Sequence, residues 1–231
     1  MPSESHSPSE SSLAPHSGFQ PLPASLFAST ALDASPKLLG QTLVRRSEIG
    51  VIRSRIIETE SYGGIEDKGS HAYGGRRTKR TEIMFGAGGT AYVYLIYGMY
   101  HCLNVVTGEP DDPQAVLIRA VEPLTEEDER RMRLLRSIKS KKPADLSGGP
   151  GKLCRALDID KSFNGCRLTV PTSPLYLEAG DDIAGLDIVC GPRINIDYAE
   201  EYAAKPWRFF LKDHPYVSVN DKANPPQPFY R

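Results

Sequence analysis

Between Gln41 and Val121 the apolar residues come in short β-branched and aromatic runs, broken by turns that contain glycine. Such runs predict strands. Gln41 to Val44 and Val51 to Ser61 flank the turn Ser47-Glu48-Ile49-Gly50 and predict a hairpin. Thr90 to Tyr97 and Tyr100 to Val106 flank Gly98 and predict a second hairpin with a tight tip. Ala115 to Val121 predicts a further strand. The pattern then turns helical. In Pro123-Leu124-Thr125-Glu126-Glu127-Asp128, Thr125 reads as an N-cap with acids in the first turn, where the helix dipole favours them. That helix should run to about Ile138. Ser147-Gly148-Gly149-Pro150-Gly151-Lys152 precedes a short helix near Leu153 to Leu157. Upstream, Ser35-Pro36 predicts an N-cap with proline at the first helical position, and Gly40 a helix end. Strands return near Leu175–Glu178 and Ile188–Val189, and Trp207 to Phe210 is a last short apolar segment. No internal repeat and no long Gly/Pro linker after residue 20 divides the chain. One mixed α/β domain is expected, and consecutive hairpins suggest a mainly antiparallel sheet.

Composition changes the picture at the ends. Residues 1–17, MPSESHSPSESSLAPHS, carry too few apolar side chains to offset the entropy of ordering. The expected division is a disordered tail over residues 1–20, a folded domain over 21–222 and a C-terminal tail over 223–231. The tail lacks a basic region followed by an apolar run and does not read as a signal peptide. The most apolar stretch, Tyr92 to Val106, is broken by Gly98, His101 and Asn104 and is too short for a membrane span. Cys102, Cys154, Cys166 and Cys190 lie far apart, with no metal-binding spacing. They read as reduced thiols of a cytosolic-type compartment.

A net charge of −1 by itself argues against nucleic acid, but the charges are segregated. Arg76, Arg77, Lys79 and Arg80 form one basic cluster; Arg130, Arg131, Arg133, Arg136, Lys139, Lys141 and Lys142 form another. Either is a solvated surface or part of a basic face.

The candidate chemistry starts in Ile56-Ile57-Glu58-Thr59-Glu60-Ser61-Tyr62. If the strand is regular, Ile56, Glu58, Glu60 and Tyr62 share one face. Paired carboxylates disfavour each other's charge, which is one route to a general base. A solvated strand face is the plain alternative. A metal site from Glu58, Glu60, Asp67 and His71 is conceivable, although its spacing matches no compact ligand motif. Tyr92, Tyr94, Tyr97 and Tyr100 crowd the second hairpin. An aromatic at its tip suggests either a wedge between stacked bases or packing on a neighbouring loop.

Taken together, these segments resemble the alkyladenine (3-methyladenine, methylpurine) DNA glycosylase family. The resemblance is carried by Arg55 to Tyr62, Ser70-His71, Gly74-Gly75-Arg76, Met84-Phe85, Tyr92 to Asn104, Val116 to Ala120, Gly149 to Cys154 and Lys205 to Phe209. It covers about residues 25 to 221. It implies a single α+β domain with a curved, mainly antiparallel sheet, helices around it and a protruding β-hairpin, as in a domain appended to formyltransferases. It implies a monofunctional enzyme of base-excision repair, a monomer without metal or cofactor. Such an enzyme removes alkylated or deaminated purines (3-methyladenine, 7-methylguanine, hypoxanthine, ethenoadenine) from double-stranded DNA approached by the minor groove, in the bacterial nucleoid or a eukaryotic nucleus. By the resemblance, Glu60 would activate water, and Arg119 and the Ile194 carbonyl would hold it. Tyr62, His71 and Tyr94 would line the base pocket, and Asn104 would exclude the 2-amino group of guanine. Tyr97 would fill the gap left by the extruded nucleotide. The loop Phe85-Gly86-Ala87-Gly88-Gly89 lacks the proline common in relatives, which suggests a more mobile segment. A non-catalytic nucleic-acid-binding module and a metal-dependent nuclease using Glu58, Glu60 and Asp67 are the competing readings.

Overall fold

The computed structural model describes residues 18–180, 185–220 and 224–229. The expected disorder of residues 1–17 lies outside these. Two short helices, α1 (Ala24–Ala28) and α2 (Ala31–Lys37), lead into the hairpin of β1 (Thr42–Ser47) and β2 (Gly50–Tyr62). The second hairpin is β3 (Ala91–Ile96) and β4 (Tyr100–Thr107), followed by β5 (Gln114–Pro123). Next come α3 (Glu126–Arg136), α4 (Pro143–Ser147), α5 (Pro150–Ala156), β6 (Leu175–Glu178), β7 (Ile188–Gly191), β8 (Arg208–Leu211) and β9 (Gln227–Pro228).

Every strand pairing is antiparallel among the described residues. The order is β3-β4-β5-β2-β8-β7-β9, with β1 and β6 branching from β2. The fold is α+β with a mainly antiparallel sheet. The long strand β2 organises it. One edge of β2 keeps β5 from Ser54 to Tyr62. The other edge pairs with β1 up to Arg55 and with β8 from Glu58 to Glu60. The exchange happens at a bulge, where the register against β5 shifts on both sides of Glu58. A bulge bends its strand and re-aims side chains. Ile56 therefore joins Ile57 in the hydrophobic core, and the regular alternation expected through Tyr62 is interrupted.

Two helical expectations need correction. The cap of α2 is Thr30, whose hydroxyl accepts from the Asp33 amide, and Ser35 and Pro36 lie within the helix. Pro36 is tolerated in the last turn of this short helix, where its missing N–H removes a single bond. The helix near residue 153 starts at Pro150, with Gly149 before it at φ +134°. α3 begins as expected, the Thr125 hydroxyl accepting from the Asp128 amide. The glycine loop 86–89 packs closely against α1: a Cβ at Gly88 would sit 2.3 Å from the Phe27 carbonyl oxygen. In the segment read as the C-terminal tail, β9 pairs with β7 and Phe229 packs edge-on against Phe209.

Candidate active site

The end of β2, the β3–β4 hairpin, the middle of β5, the α4–α5 turn and the loop after β7 surround a cleft of about 480 Å³. Tyr62, His71, Tyr94, Tyr97, Asn104, Arg119 and Ile194 all line it. Glu60, on β2, lies just beneath this wall and is fully buried. Glu60 Oε1 accepts from the Ile194 amide at 2.7 Å and meets Arg119 Nη1 at 3.2 Å. Its Oε2 accepts from the Tyr62 hydroxyl at 3.0 Å. A carboxylate oxygen has two lone pairs, so Oε2 keeps one acceptor position. Burial pushes the Tyr62 phenol well above its ordinary pKa, with the Glu60 charge acting in the same sense. The hydroxyl therefore stays protonated and donates. Burial opposes the charge of Arg119, but Glu60 and Glu58 together hold its guanidinium above the usual arginine range.

The aromatic wall is built from β3 and the loop before it. The Tyr94 ring meets His71 edge-on, centroids 4.6 Å apart, and Tyr92 lies 5.3 Å from Tyr94. The Tyr92 hydroxyl and His71 Nδ1 share a hydrogen bond of 2.9 Å. Burial, with the Arg80 charge added, lowers the His71 pKa to about 4, so the imidazole is neutral at pH 7. The Asn104 amide donates to the Tyr92 carbonyl across the β3–β4 pair, which fixes its orientation. Tyr97 is 74 % exposed and stands at the hairpin tip with φ +52°, next to Gly98 at φ +70°. That left-handed pair turns the chain within Tyr97-Gly98-Met99.

Glu58 and Glu60 both touch Arg119, so the bulge keeps the two carboxylates together with a cation between them. Asp67 and His71 do not join them. Asp67 makes a bidentate pair with buried Arg193 at 2.6 and 2.7 Å, and that guanidinium lies over the Tyr62 ring. Among the described residues no three His, Cys, Asp or Glu side chains are grouped to hold a metal. No described helix is long and apolar enough to cross a membrane.

The basic clusters divide. Arg130 and Arg131 pair with Glu127, Arg133 with Glu129, and Arg77 with Glu82 and Asp111. Arg80 instead lies over the Tyr94 ring, and Arg136, Lys152 and Arg155 line the cleft. Three polar partners were not singled out from the sequence: Arg193, Arg208 and Ser218. Arg208 stood only within a motif of the family resemblance, and nothing local marks the other two, whose acidic partners lie more than 120 residues away.

This arrangement of sheet, cleft and buried acid belongs to a chain similar over most of its length to proteins named as DNA glycosylases. The model of the methylpurine-DNA glycosylase family matches residues 25–215, and the chain belongs to that family. A relative from Natranaerobius thermophilus, named "Putative 3-methyladenine DNA glycosylase", is 47 % identical over 194 residues, spanning 84 % of this chain and 96 % of the relative. Relatives of the same name from Bacillus cereus and Clostridium botulinum are 49 % and 48 % identical over 201 and 192 residues. They cover 85 % and 81 % of this chain and 98 % and 94 % of their own lengths.

Proposed function

We propose that the chain is a monofunctional DNA glycosylase that flips alkylated or deaminated purines out of duplex DNA and hydrolyses the N-glycosidic bond. The observation that carries this reading is Glu60, fully buried beneath an aromatic cleft and bonded by Tyr62, Arg119 and the Ile194 amide. A cleft of about 480 Å³ has room for one base. A base within the helix cannot be attacked at C1′, so the nucleotide must leave the stack, at a cost of a few kcal/mol. Tyr97, exposed at the hairpin tip, is the wedge that fills the gap. Base–aromatic stacking is worth about 1–3 kcal/mol and offsets part of that cost.

The flipped purine lies against Tyr94 and His71, and a cationic alkylated base is favoured by the tyrosine face. Asn104 narrows the floor against the 2-amino group of guanine. Glu60 is the general base. The free acceptor position of Oε2 takes a proton from a water as that water attacks C1′, and the purine leaves with the bonding electron pair. Arg119 and the Ile194 backbone hold Glu60 and the water in line. Alkylated purines leave without added protonation. The approach is from the minor groove, by a monomer.

A duplex oligonucleotide with one hypoxanthine or ethenoadenine, incubated in chelator and then treated with hot alkali, tests this. Strand cleavage is expected only after alkali, and Glu60→Gln should lower the rate by at least about 100-fold. Absence of abasic sites on these lesions and on methylated DNA would overturn the reading. Binding without base release would favour a non-catalytic nucleic-acid-binding module.

A further inference from the structure

Glu58 is as deeply buried as Glu60 and neither lines the cleft, but cleft-lining Tyr62 and Ile194 bond Glu60 and not Glu58. It gathers four donors. Arg119 Nε lies 2.9 Å from its Oε1 and Arg208 Nη1 3.2 Å. The Ser218 amide donates to Oε2 at 2.7 Å, and the Ser218 hydroxyl to Oε1 at 2.8 Å. The same hydroxyl accepts from Arg119 Nη2 at 3.1 Å. Three nitrogens of Arg119 are thus assigned: Nε to Glu58, Nη2 to Ser218 and Nη1 to Glu60. A guanidinium is a rigid planar fork, so fixing two of its nitrogens aims the third.

Ser218 lies past residue 215, where the family match ends. Its segment is tied down by Arg208, which donates Nη1 to the Val219 carbonyl at 3.0 Å. Arg208 Nε donates to the Pro192 carbonyl at 3.1 Å, two residues before the Ile194 amide that binds Glu60. One buried cluster therefore holds both donors to Glu60 Oε1.

We propose that Glu58 and Ser218 are positioning residues that aim Arg119 at Glu60, so that the segment after residue 215 completes the active site. The proposal rests on the glycosylase reading with Glu60 as base. Neither residue touches the substrate. Their loss should slow the chemical step and leave DNA binding alone.

The test is single-turnover base release from a hypoxanthine duplex by the full chain, with enzyme in excess over a range of concentrations. Ser218→Ala and Glu58→Gln should lower the limiting rate about 10- to 100-fold, as a small misplacement does. The half-saturating enzyme concentration should stay within about twofold, and Ser218→Thr, which keeps the hydroxyl, should recover most of the rate. Adding Ser218→Ala to Glu58→Gln should cost less than about twofold more, because the two act through one cluster. Thermal melts of each variant separate a lost fold from a lost alignment, and Ser218→Ala keeps the test open if Glu58→Gln unfolds. A Ser218→Ala limiting rate within twofold of wild type overturns the proposal. So does loss of rate that follows weakened binding, or a Ser218→Thr variant as slow as Ser218→Ala. Wild type that releases no base overturns the glycosylase reading and this proposal together; wild type that releases base beside unaffected variants overturns this proposal alone.

Discussion

His71 occupies a place where a charge is unwelcome. Two tyrosines crowd its ring, and the Arg80 guanidinium lies 3.4 Å from Nε2. Its pKa falls to about 4, first by burial and then by the Arg80 charge, against about 6.5 in an unfolded chain. Above pH 6.5 both states hold the ring neutral. Between 6.5 and 4 the unfolded chain takes up the proton and the folded chain does not, so folding weakens as pH drops through that window. His71→Asn removes this contribution. Its melting temperature should be lower than that of wild type at pH 7, yet fall less between pH 7 and 5. Parallel melting curves for the two proteins would show that the ring titrates normally in the fold. Neutral His71 also suits the proposed pocket, since a cationic purine would otherwise meet two positive charges at its rim.

At the scale of elements, the loop from Gly86 to Gly89 shows how backbone contact fixes the approach to the second hairpin. Gly89 needs a left-handed φ of +77° and donates to the Val106 carbonyl, which joins the loop to β4. Gly88 leaves no room for a side chain against Phe27. Gly88→Ala must therefore push α1 from the sheet, at a cost of about 1–3 kcal/mol. Urea denaturation should show this as a lower midpoint with an unchanged slope; an unchanged midpoint would mean that α1 yields freely. The strands β1 to β7 were legible because their apolar runs and turns are local signals, whereas β8 read only as a short apolar segment. The bulge at Glu58 was not legible, since it depends on the exchange of β1 for β8 beside β2. Ser35-Pro36 misled because the reciprocal bonds between Thr30 and Asp33 set the helix start five positions earlier than proline would. Strand alternation already drew attention to Glu58, Glu60 and Tyr62, but the choice of Glu60 as base and of Arg119 beside it came only from the family resemblance. Ser218 and Arg193 reach the site by folding alone, 160 and 126 residues from their acidic partners.

Over the whole molecule, a net charge of −1 conceals an uneven field. The long basic run along α3 is largely consumed within the helix, as Arg130, Arg131 and Arg133 meet Glu127 and Glu129. Such exposed pairs contribute little to stability, but they cancel charge that DNA would otherwise feel. The cations beside the cleft, Arg155 among them, are placed to meet a phosphate. The two arginines therefore predict different salt responses. Each phosphate neutralised by a basic side chain releases counterions and contributes about 0.9 to the slope of log affinity against log salt. Arg155→Ala should reduce that slope by about one on a lesion-free duplex, where no chemistry intervenes. Arg130→Ala, although Arg130 is exposed as well, should leave it within error, because Glu127 already holds that charge. Fluorescence anisotropy from 50 to 300 mM salt reads both. Equal losses in the two variants would mean that DNA senses the sum of the charges, and the segregated basic face would lose its role. A loss confined to Arg155→Ala would place the phosphate backbone along the α5 side of the cleft, with the hairpin tip and Tyr97 facing the groove.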